Sequence, residues 1–242
     1  PDEILFRLAE ERGLNPEMVV SIATKLGWKD ISVRVGFAAD MAARNAERTK
    51  TAAKAKSKGE IFQSDIPPTQ QDYYSGTNQT EFSATVLDCT SLTKIQIESL
   101  SLSSEVVVTP THYVVLDRTL FYPEGGGQLG DQGTLGKAKV VDTRIENGVI
   151  YHLTNCSVEE GGISGQIDWE RRRQLMDHHT AVHIVGGSAR AILGPHIWQA
   201  GSNKGGRYAR IDLTHYSRLS RDDLDKIEDH ANDIIAKNPV VE

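Results

Sequence analysis

The chain has 242 residues, a formal net charge of −6 and a mean hydropathy of −0.38, values that are ordinary for a soluble globular protein. It contains no run of 18 apolar residues, so the sequence predicts neither a transmembrane helix nor a membrane partner. Cys89 and Cys156 are too few for a disulfide framework, which favours a reducing, cytoplasmic location. The first residues hold no initiator Met and no signal-peptide pattern, and we therefore expect a piece excised from a longer chain.

Residues 1–66 are predicted to be mainly helical. Apolar residues at helical spacing lead to Gly13, a natural helix end, and Asn15-Pro16 then supplies the N-cap and first-turn proline of a second helix. Residues 37–58, rich in Ala, Arg and Lys, predict a third helix. Residues 61–75 contain Pro67-Pro68 and are predicted to be a linker.

The third predicted helix carries a cluster of positive charge. Between residues 44 and 58, one acidic residue stands against six basic ones: Arg44, Arg48, Lys50, Lys54, Lys56 and Lys58. Taken by itself, such a run is typical of a solvated helix face, and the negative total charge argues against wholesale coating by nucleic acid.

Residues 67–167 change to the pattern of short strands. The predicted strands are β-branched runs bounded by Gly, Asn, Asp or Ser, at residues 83–87, 94–97, 106–108, 113–116, 139–141 and 149–153. Short strands at this spacing predict a small β-barrel or sandwich.

Residues 168–242 mix helix and strand. Asp168 is a predicted cap for a long helix that ends near Leu193, with its apolar stripe on Leu175, Val182, Val185, Ala189 and Ile192. Residues 208–216 alternate as a strand, and Ser220 opens a last amphipathic helix with Leu224, Ile227, Ala231 and Ile234 in register. The predicted fold class is α+β, in three parts: 1–66, 67–167 and 168–242.

The long helix carries His179 and His183, four residues apart. Side chains at this spacing leave the same helix face one turn apart, close enough for both imidazoles to bind one zinc ion. Thr180 stands where the zinc-protease motif has its glutamate base. The sequence offers no second ligand pair of similar quality, so the pair is half of a metal site, or two ordinary surface or core histidines.

A second motif is Phe121-Tyr122-Pro123-Glu124-Gly125-Gly126-Gly127-Gln128. Three glycines make either a flexible hairpin turn or a place where main-chain amides approach a ligand with no Cβ in the way. A third stretch, Gln199-x-Gly201, carries little meaning alone.

In combination and in this order, four motifs resemble the editing module of alanyl-tRNA synthetases. They are Thr119-x-Phe121-Tyr122-Pro123-x-Gly125-Gly126-Gly127-Gln128, His179-x-x-x-His183, Gln199-x-Gly201 and Arg210-x-Asp212-x-x-His215-Tyr216. The likeness covers residues 70–242 and extends to free-standing alanyl-tRNA editing proteins and, more distantly, to threonyl-tRNA synthetases. Residues 1–66 resemble the end of the helical tRNA-recognition region, which favours the synthetase, an alanine–tRNA ligase, over a free-standing editor.

The resemblance implies hydrolysis of tRNA(Ala) mischarged with serine or glycine, without the ATP-dependent aminoacylation site. It assigns Gln128 and Gln199 to catalysis, Thr119 to sensing the serine hydroxyl, and Gly125, Gly126 and Gly127 to the terminal adenosine. Zinc is implied at His179 and His183. The family completes that site with a Cys-x-x-x-His that does not occur before Glu242, and Val182 stands where relatives often have Thr.

The implied partners are the acceptor arm and 3′ end of tRNA(Ala), reached through Arg44, Arg48 and Lys54, and the rest of the synthetase chain. Three other interpretations stay open: a tRNA-binding fragment with no activity of its own, an unrelated zinc hydrolase, and a purely structural α+β protein.

Overall fold

A computed structural model of the chain describes residues 3–6, 16–28, 32–34, 36–37, 40, 61–62, 66–74 and 79–238. Most of the third predicted helix, with Arg44, Arg48 and Lys54, lies outside these residues. Within the described residues, four helices have defined ends: α1 (Pro16–Lys25), α2 (Lys94–Ser99), α3 (Trp169–Leu193) and α4 (Arg221–Lys237). The strands are β1 (Gln70–Gln71), β2 (Glu81–Ser91), β3 (His112–Leu116), β4 (Arg118–Thr119), β5 (Gly133–Leu135), β6 (Ala138–Glu146), β7 (Val149–Thr154), β8 (Gly161–Ile167), β9 (Gln199–Lys204) and β10 (Ala209–Leu213).

Six antiparallel strands form a closed barrel in the order β2-β3-β7-β6-β5-β8, with β8 pairing back to β2. Apolar residues from five of these strands share one buried cluster, which fills the barrel. Alternate residues of β2 point into it: Phe82, Ala84 and Val86. Strand β3 is apolar at consecutive positions because Val114 faces this cluster while Val115 faces a second one outside. The α+β fold class is therefore confirmed.

Two predicted strands are wrong. Residues 94–97 belong to helix α2, because Thr93 and Gln96 form a capping box in which each side chain accepts a hydrogen bond from the other residue's backbone N–H. Residues 106–108 form no strand, and Val107 is 92% exposed. Strands β5 and β8 were missed because glycines interrupt their apolar pattern.

The long helix is confirmed as α3. The carboxylate of Asp168 accepts a hydrogen bond from the backbone N–H of Arg171, and Gly194 follows the helix with φ +115°. Leu175, Val182 and Ala189 of its predicted stripe are buried, whereas Ile192, next to the end of the helix, is 38% exposed.

The last helix is confirmed as α4. Ser220 caps it in a box with Asp223, and Ile227 and Ala231 are buried. Leu224, expected on the same face, is 45% exposed. In the N-terminal region the first-turn proline of α1 is confirmed, but Ile4 is 59% exposed while Leu5 and Phe6 are buried.

The chain forms two compact units. The barrel unit comprises residues 59–184 and 200–212, and the second unit comprises residues 1–58, 185–199 and 213–242. One buried cluster of the second unit contains Ala189, Ile197 and Ile227. The three-part division at residues 66 and 167 stays a prediction. Among the described residues, no helix is both long and apolar enough to cross a membrane.

Candidate functional site

The three glycines form a tight turn in the loop between β4 and β5. Gly125 and Gln128 exchange backbone hydrogen bonds, with N···O distances of 3.1 and 2.9 Å, and Gly126 and Gly127 between them have φ values of +58° and +79°. Two positive φ values in a two-residue turn favour glycine. At Gly127 a steric clash also excludes any larger residue, since a Cβ there would lie 2.6 Å from the backbone oxygen of Ser202.

Both ends of this loop are tied to α3 by Arg172. Its Nε donates to both carboxylate oxygens of Asp131, at 2.8 and 2.7 Å, and its Nη2 donates to the backbone oxygen of Leu120 at 2.6 Å. Two hydrogen bonds join Asp131 and Tyr122 across the loop. The backbone N–H of Tyr122 donates to the Asp131 carboxylate, and the backbone N–H of Asp131 donates to the Tyr122 carbonyl. The loop is therefore held closed at its base.

Lys204 fastens the tip of the same loop. Its side chain is buried, and Nζ donates to the backbone oxygen of Gly126 at 2.6 Å and to Oγ of Ser202 at 2.8 Å. Its backbone N–H donates to the Gly127 oxygen at 2.7 Å, and burial lowers the pKa of its ammonium group. Nothing in the local sequence marks Lys204 as a site residue, since a lysine beside two glycines carries no pattern that separates it from a surface lysine.

The turn presents Gln128 to the first histidine of α3. The amide oxygen of Gln128 lies 2.8 Å from Nδ1 of His179, and Gln128 is only 4% exposed. With the oxygen facing the ring, Nδ1 carries the proton and Nε2 keeps its lone pair. A Cβ built on Gly126 would lie 3.8 Å from Cε1 of the same ring. The structure thus joins two motifs that are 51 residues apart in the sequence.

His179 and His183 stack on one face of α3, with ring centroids 5.2 Å apart and planes inclined by 15°. Burial, together with the charges of Lys204 and His183, lowers the pKa of His179. A lowered pKa favours the neutral imidazole, which is the form that binds metals.

These two rings fit half of a zinc site. An oxygen acceptor on Nδ1, which leaves the lone pair on Nε2, is the arrangement that orients a metal-binding histidine. Zinc takes four ligands, or three and a water. Within the part of the chain that the structure describes, no group of three or more His, Cys, Asp and Glu side chains is placed to hold a metal. Zinc binding stays a prediction.

Thr119 lies inside the barrel, fully buried, and its hydroxyl is engaged twice. It lies 2.8 Å from Nε2 of His152 and accepts a hydrogen bond from the backbone N–H of Phe121 at 3.0 Å. Nδ1 of His152 donates to the carbonyl of Val114, so Nε2 must accept the Thr119 proton. These contacts give Thr119 a role in holding the start of the loop, and its predicted contact with a serine substrate stays a prediction.

Gln199 is exposed and begins β9, in the second unit, while the other site residues described above belong to the barrel unit. Its part in catalysis therefore stays a prediction. The predicted tRNA contacts of Arg44, Arg48 and Lys54 also stay a prediction, because these residues lie outside the described part of the chain.

Comparison with known proteins identifies one family. The family model described as "tRNA synthetases class II (A)" matches residues 1–171. The chain is 40% identical over 243 residues to the alanine–tRNA ligase of Natronomonas pharaonis, covering 98% of this chain and 25% of that protein. It is 39% identical to the alanine–tRNA ligase of Haloquadratum walsbyi (98% and 24% covered) and 36% identical to that of Methanococcus maripaludis (98% and 25% covered). The chain thus spans about a quarter of the length of these relatives.

Proposed function

The chain belongs to the family of tRNA synthetases class II (A), and from this membership we propose that it is the part of an alanine–tRNA ligase that binds tRNA(Ala) and removes serine or glycine attached to it by mistake. The observation that carries the proposal is the contact between Gln128 and His179, which brings the glycine turn and the histidine pair to one place. Both motifs were assigned to editing by resemblance, and an editing site requires them to be neighbours.

The turn supplies a close approach for the ligand. Gly126 is exposed and carries no side chain beside the imidazole of His179, so the terminal adenosine of the tRNA can lie against the backbone of the turn. Lys204 holds the Gly126 carbonyl in place while this occurs.

The neutral imidazole of His179 is positioned by Gln128. Because Nδ1 faces the Gln128 oxygen, Nε2 is the atom that can accept a hydrogen bond from a water or a ligand. Gln199 is assigned to orienting the ester or the attacking water. Zinc, when bound at His179 and His183, would polarise the ester or the water.

Editing is needed because a pocket built for alanine rejects serine poorly. A hydrophobic pocket discriminates against an added hydroxyl by only about a hundredfold. A second site that hydrogen-bonds the hydroxyl reverses the preference, since alanine leaves the polar groups of that site unpaired at about 1–3 kcal/mol each.

The direct test is hydrolysis of serine-charged tRNA(Ala) by this chain and by its His179→Ala and Gln199→Ala variants, with zinc content measured in each. His112→Ala is the matched control, because His112 lies on β3 and its ring is within hydrogen-bond distance of the Thr111 hydroxyl rather than of a site residue. We expect hydrolysis to fall at least about tenfold in both site variants and to be unchanged in the control. Equal rates in all four proteins would remove the site assignment.

A second candidate function is tRNA binding without hydrolysis, favoured by the two-ligand histidine pair among the described residues. Binding of tRNA with no turnover, even after zinc is added, would support it. In either case charge reversal of Arg48 and Lys54 should weaken tRNA binding and reduce its salt dependence.

A further inference from the structure

Three tyrosines lie in a row beside the glycine turn, within the barrel unit. The rings of Tyr122 and Tyr73 meet edge to face with centroids 5.2 Å apart, and the rings of Tyr73 and Tyr74 are 4.6 Å apart. The row begins at the turn, since the hydroxyl of Tyr122 lies 3.8 Å from the position that a Cβ on Gly125 would take. We refer to Tyr122, Tyr73 and Tyr74 as the tyrosine row.

The inner end of the row is fixed. The backbone N–H of Tyr122 donates to Asp131, and the guanidinium of Arg172 lies 5.9 Å from the centre of the Tyr122 ring. Tyr73 donates its hydroxyl proton to the Gln71 side chain at 2.8 Å, and Gln71 belongs to β1, which pairs with β4. The row is therefore held by the same elements that hold the glycine turn.

The outer end of the row is open to solvent. Tyr74 is 73% exposed, whereas Tyr73 and Tyr122 are half-buried. A cation accompanies it: the side chain of Arg118, 48% exposed, is paired with Asp72, the residue before Tyr73. Tyr74 therefore lies two residues along the chain from the carboxylate that pairs with Arg118. Proteins that bind single-stranded nucleic acids combine exposed aromatic rings, on which bases stack, with cations that contact phosphates.

We propose that Tyr74 is a stacking site for the base of the unpaired nucleotide that precedes the terminal adenosine of the tRNA. This inference rests on the proposed function, which places that adenosine at the glycine turn. Ring-to-ring distances of 5.2 and 4.6 Å separate Tyr122, at the glycine turn, from Tyr73 and then Tyr74, so Tyr74 lies near the place that the proposed function gives to the adenosine. The site recognises the π-face of a base, and its contribution is tolerant of base identity.

The test uses the whole chain and an RNA microhelix that ends in the single-stranded tail of tRNA(Ala), with 2-aminopurine as the penultimate nucleotide. A second microhelix carries an abasic residue at that position. The proteins are the wild type, Tyr74→Ala, Tyr74→Phe, which keeps the ring, and Ile95→Ala, a control on α2 in which an exposed apolar side chain is removed. Affinity is read by fluorescence anisotropy and stacking by quenching of 2-aminopurine.

We expect the wild type, Tyr74→Phe and Ile95→Ala to bind equally and to quench the fluorescence. Tyr74→Ala should bind at least about fivefold more weakly, without quenching. With the abasic tail the wild type should fall to the level of Tyr74→Ala, and the two should then be equal. These results together would establish the stacking site.

Other outcomes overturn the proposal in distinguishable ways. If quenching survives in Tyr74→Ala, the ring contacts no base. The same conclusion follows if Tyr74→Ala weakens binding of the abasic microhelix as much as binding of the intact one, and Tyr74 then supports the fold or a protein partner instead. A wild-type chain that binds neither microhelix would overturn the proposed function together with the stacking site.

Discussion

The side-chain oxygen of Gln128 and Nδ1 of His179 lie 2.8 Å apart, although the two residues come from a glycine turn and from a long helix. This contact fixes which imidazole nitrogen carries the proton and which nitrogen keeps its lone pair. The arrangement makes Gln128 a positioning residue that acts through His179.

We therefore expect Gln128→Ala to reduce hydrolysis of serine-charged tRNA by about 10- to 100-fold, the usual cost of removing a group that orients a metal-binding or catalytic histidine. The readout beyond activity is the ¹⁵N NMR spectrum of His179, which should lose its preference for a proton on Nδ1. Gln166→Ala is the control, since Gln166 is exposed on β8 and bonds Glu81. An unchanged tautomer in Gln128→Ala would contradict the contact.

Lys204→Met should loosen the glycine turn. The variant keeps the stem of the side chain but removes the charged donor of two part-buried hydrogen bonds, to the Gly126 carbonyl and the Ser202 hydroxyl, and hydrogen bonds to charged groups contribute about 1.5–3 kcal/mol. Urea denaturation measures this loss of unfolding free energy, and the NMR shifts of Gly126 and Gly127 report the turn. Lys226→Met, which removes an exposed pair with Asp222, should change stability by less than about 1 kcal/mol. Similar effects in both variants would argue that Lys204 holds nothing.

Two glycine-to-alanine substitutions should have opposite effects. Gly127→Ala forces a side chain into φ +79° and against the Ser202 carbonyl, and should lower stability by more than about 2 kcal/mol. Gly187 lies in α3 with open space around its missing Cβ, so Gly187→Ala should raise stability by about 1 kcal/mol. Thermal unfolding of the two variants checks the signs, and a stable Gly127→Ala protein would contradict the tight turn.

Thr119→Val tests whether Thr119 supports the fold or senses the substrate. Valine fills the same volume but removes one donor to His152 and one acceptor from Phe121, so unfolding free energy should fall by about 2 kcal/mol or more. Thr119→Ser keeps both hydrogen bonds and should lose less. If Thr119 senses the serine hydroxyl, Thr119→Val must also change the ratio of hydrolysis rates on serine- and glycine-charged tRNA. An unchanged ratio with reduced stability would assign Thr119 to the fold alone.

His152 should make stability depend on pH. Burial lowers its pKa from 6.5 to about 4, so between these values the unfolded chain binds more protons than the folded chain. Its contribution is fully present above pH 6.5 and is lost as the pH falls toward 4. We expect a loss of about 2 kcal/mol between pH 7 and pH 5, measured by urea denaturation. His152→Gln should flatten this part of the profile, and parallel profiles for both proteins would refute the assignment.

Local patterns were sufficient for the elements that carry the site. The period of α3 and the capping residues of α4 are readable because they depend on neighbours within a few positions. Residues 94–97 were misread as a strand because the capping box of Thr93 outweighs the β-branched residues there. Strand β8 has glycine at three of its seven positions, which weakens the alternation of apolar residues in the sequence, although its residues alternate in exposure once the strand pairs with β2.

The contacts that build the site depend on residues far apart in the chain. Arg172 and Asp131 are 41 residues apart, and nothing near either residue indicates that they meet. Resemblance identified Gln128 and His179, but not the bond between them. Lys204 and His152 could not be predicted as buried residues, because burial depends on the fold and not on the local sequence.

The double attachment of the glycine loop, at its base by Arg172 and at its tip by Lys204, has a thermodynamic consequence. The glycine loop loses its conformational freedom when the chain folds, so a ligand that binds there does not have to order the loop. Association should then be nearly rigid-body at this loop, and the heat capacity change should reflect the surface that the ligand itself covers.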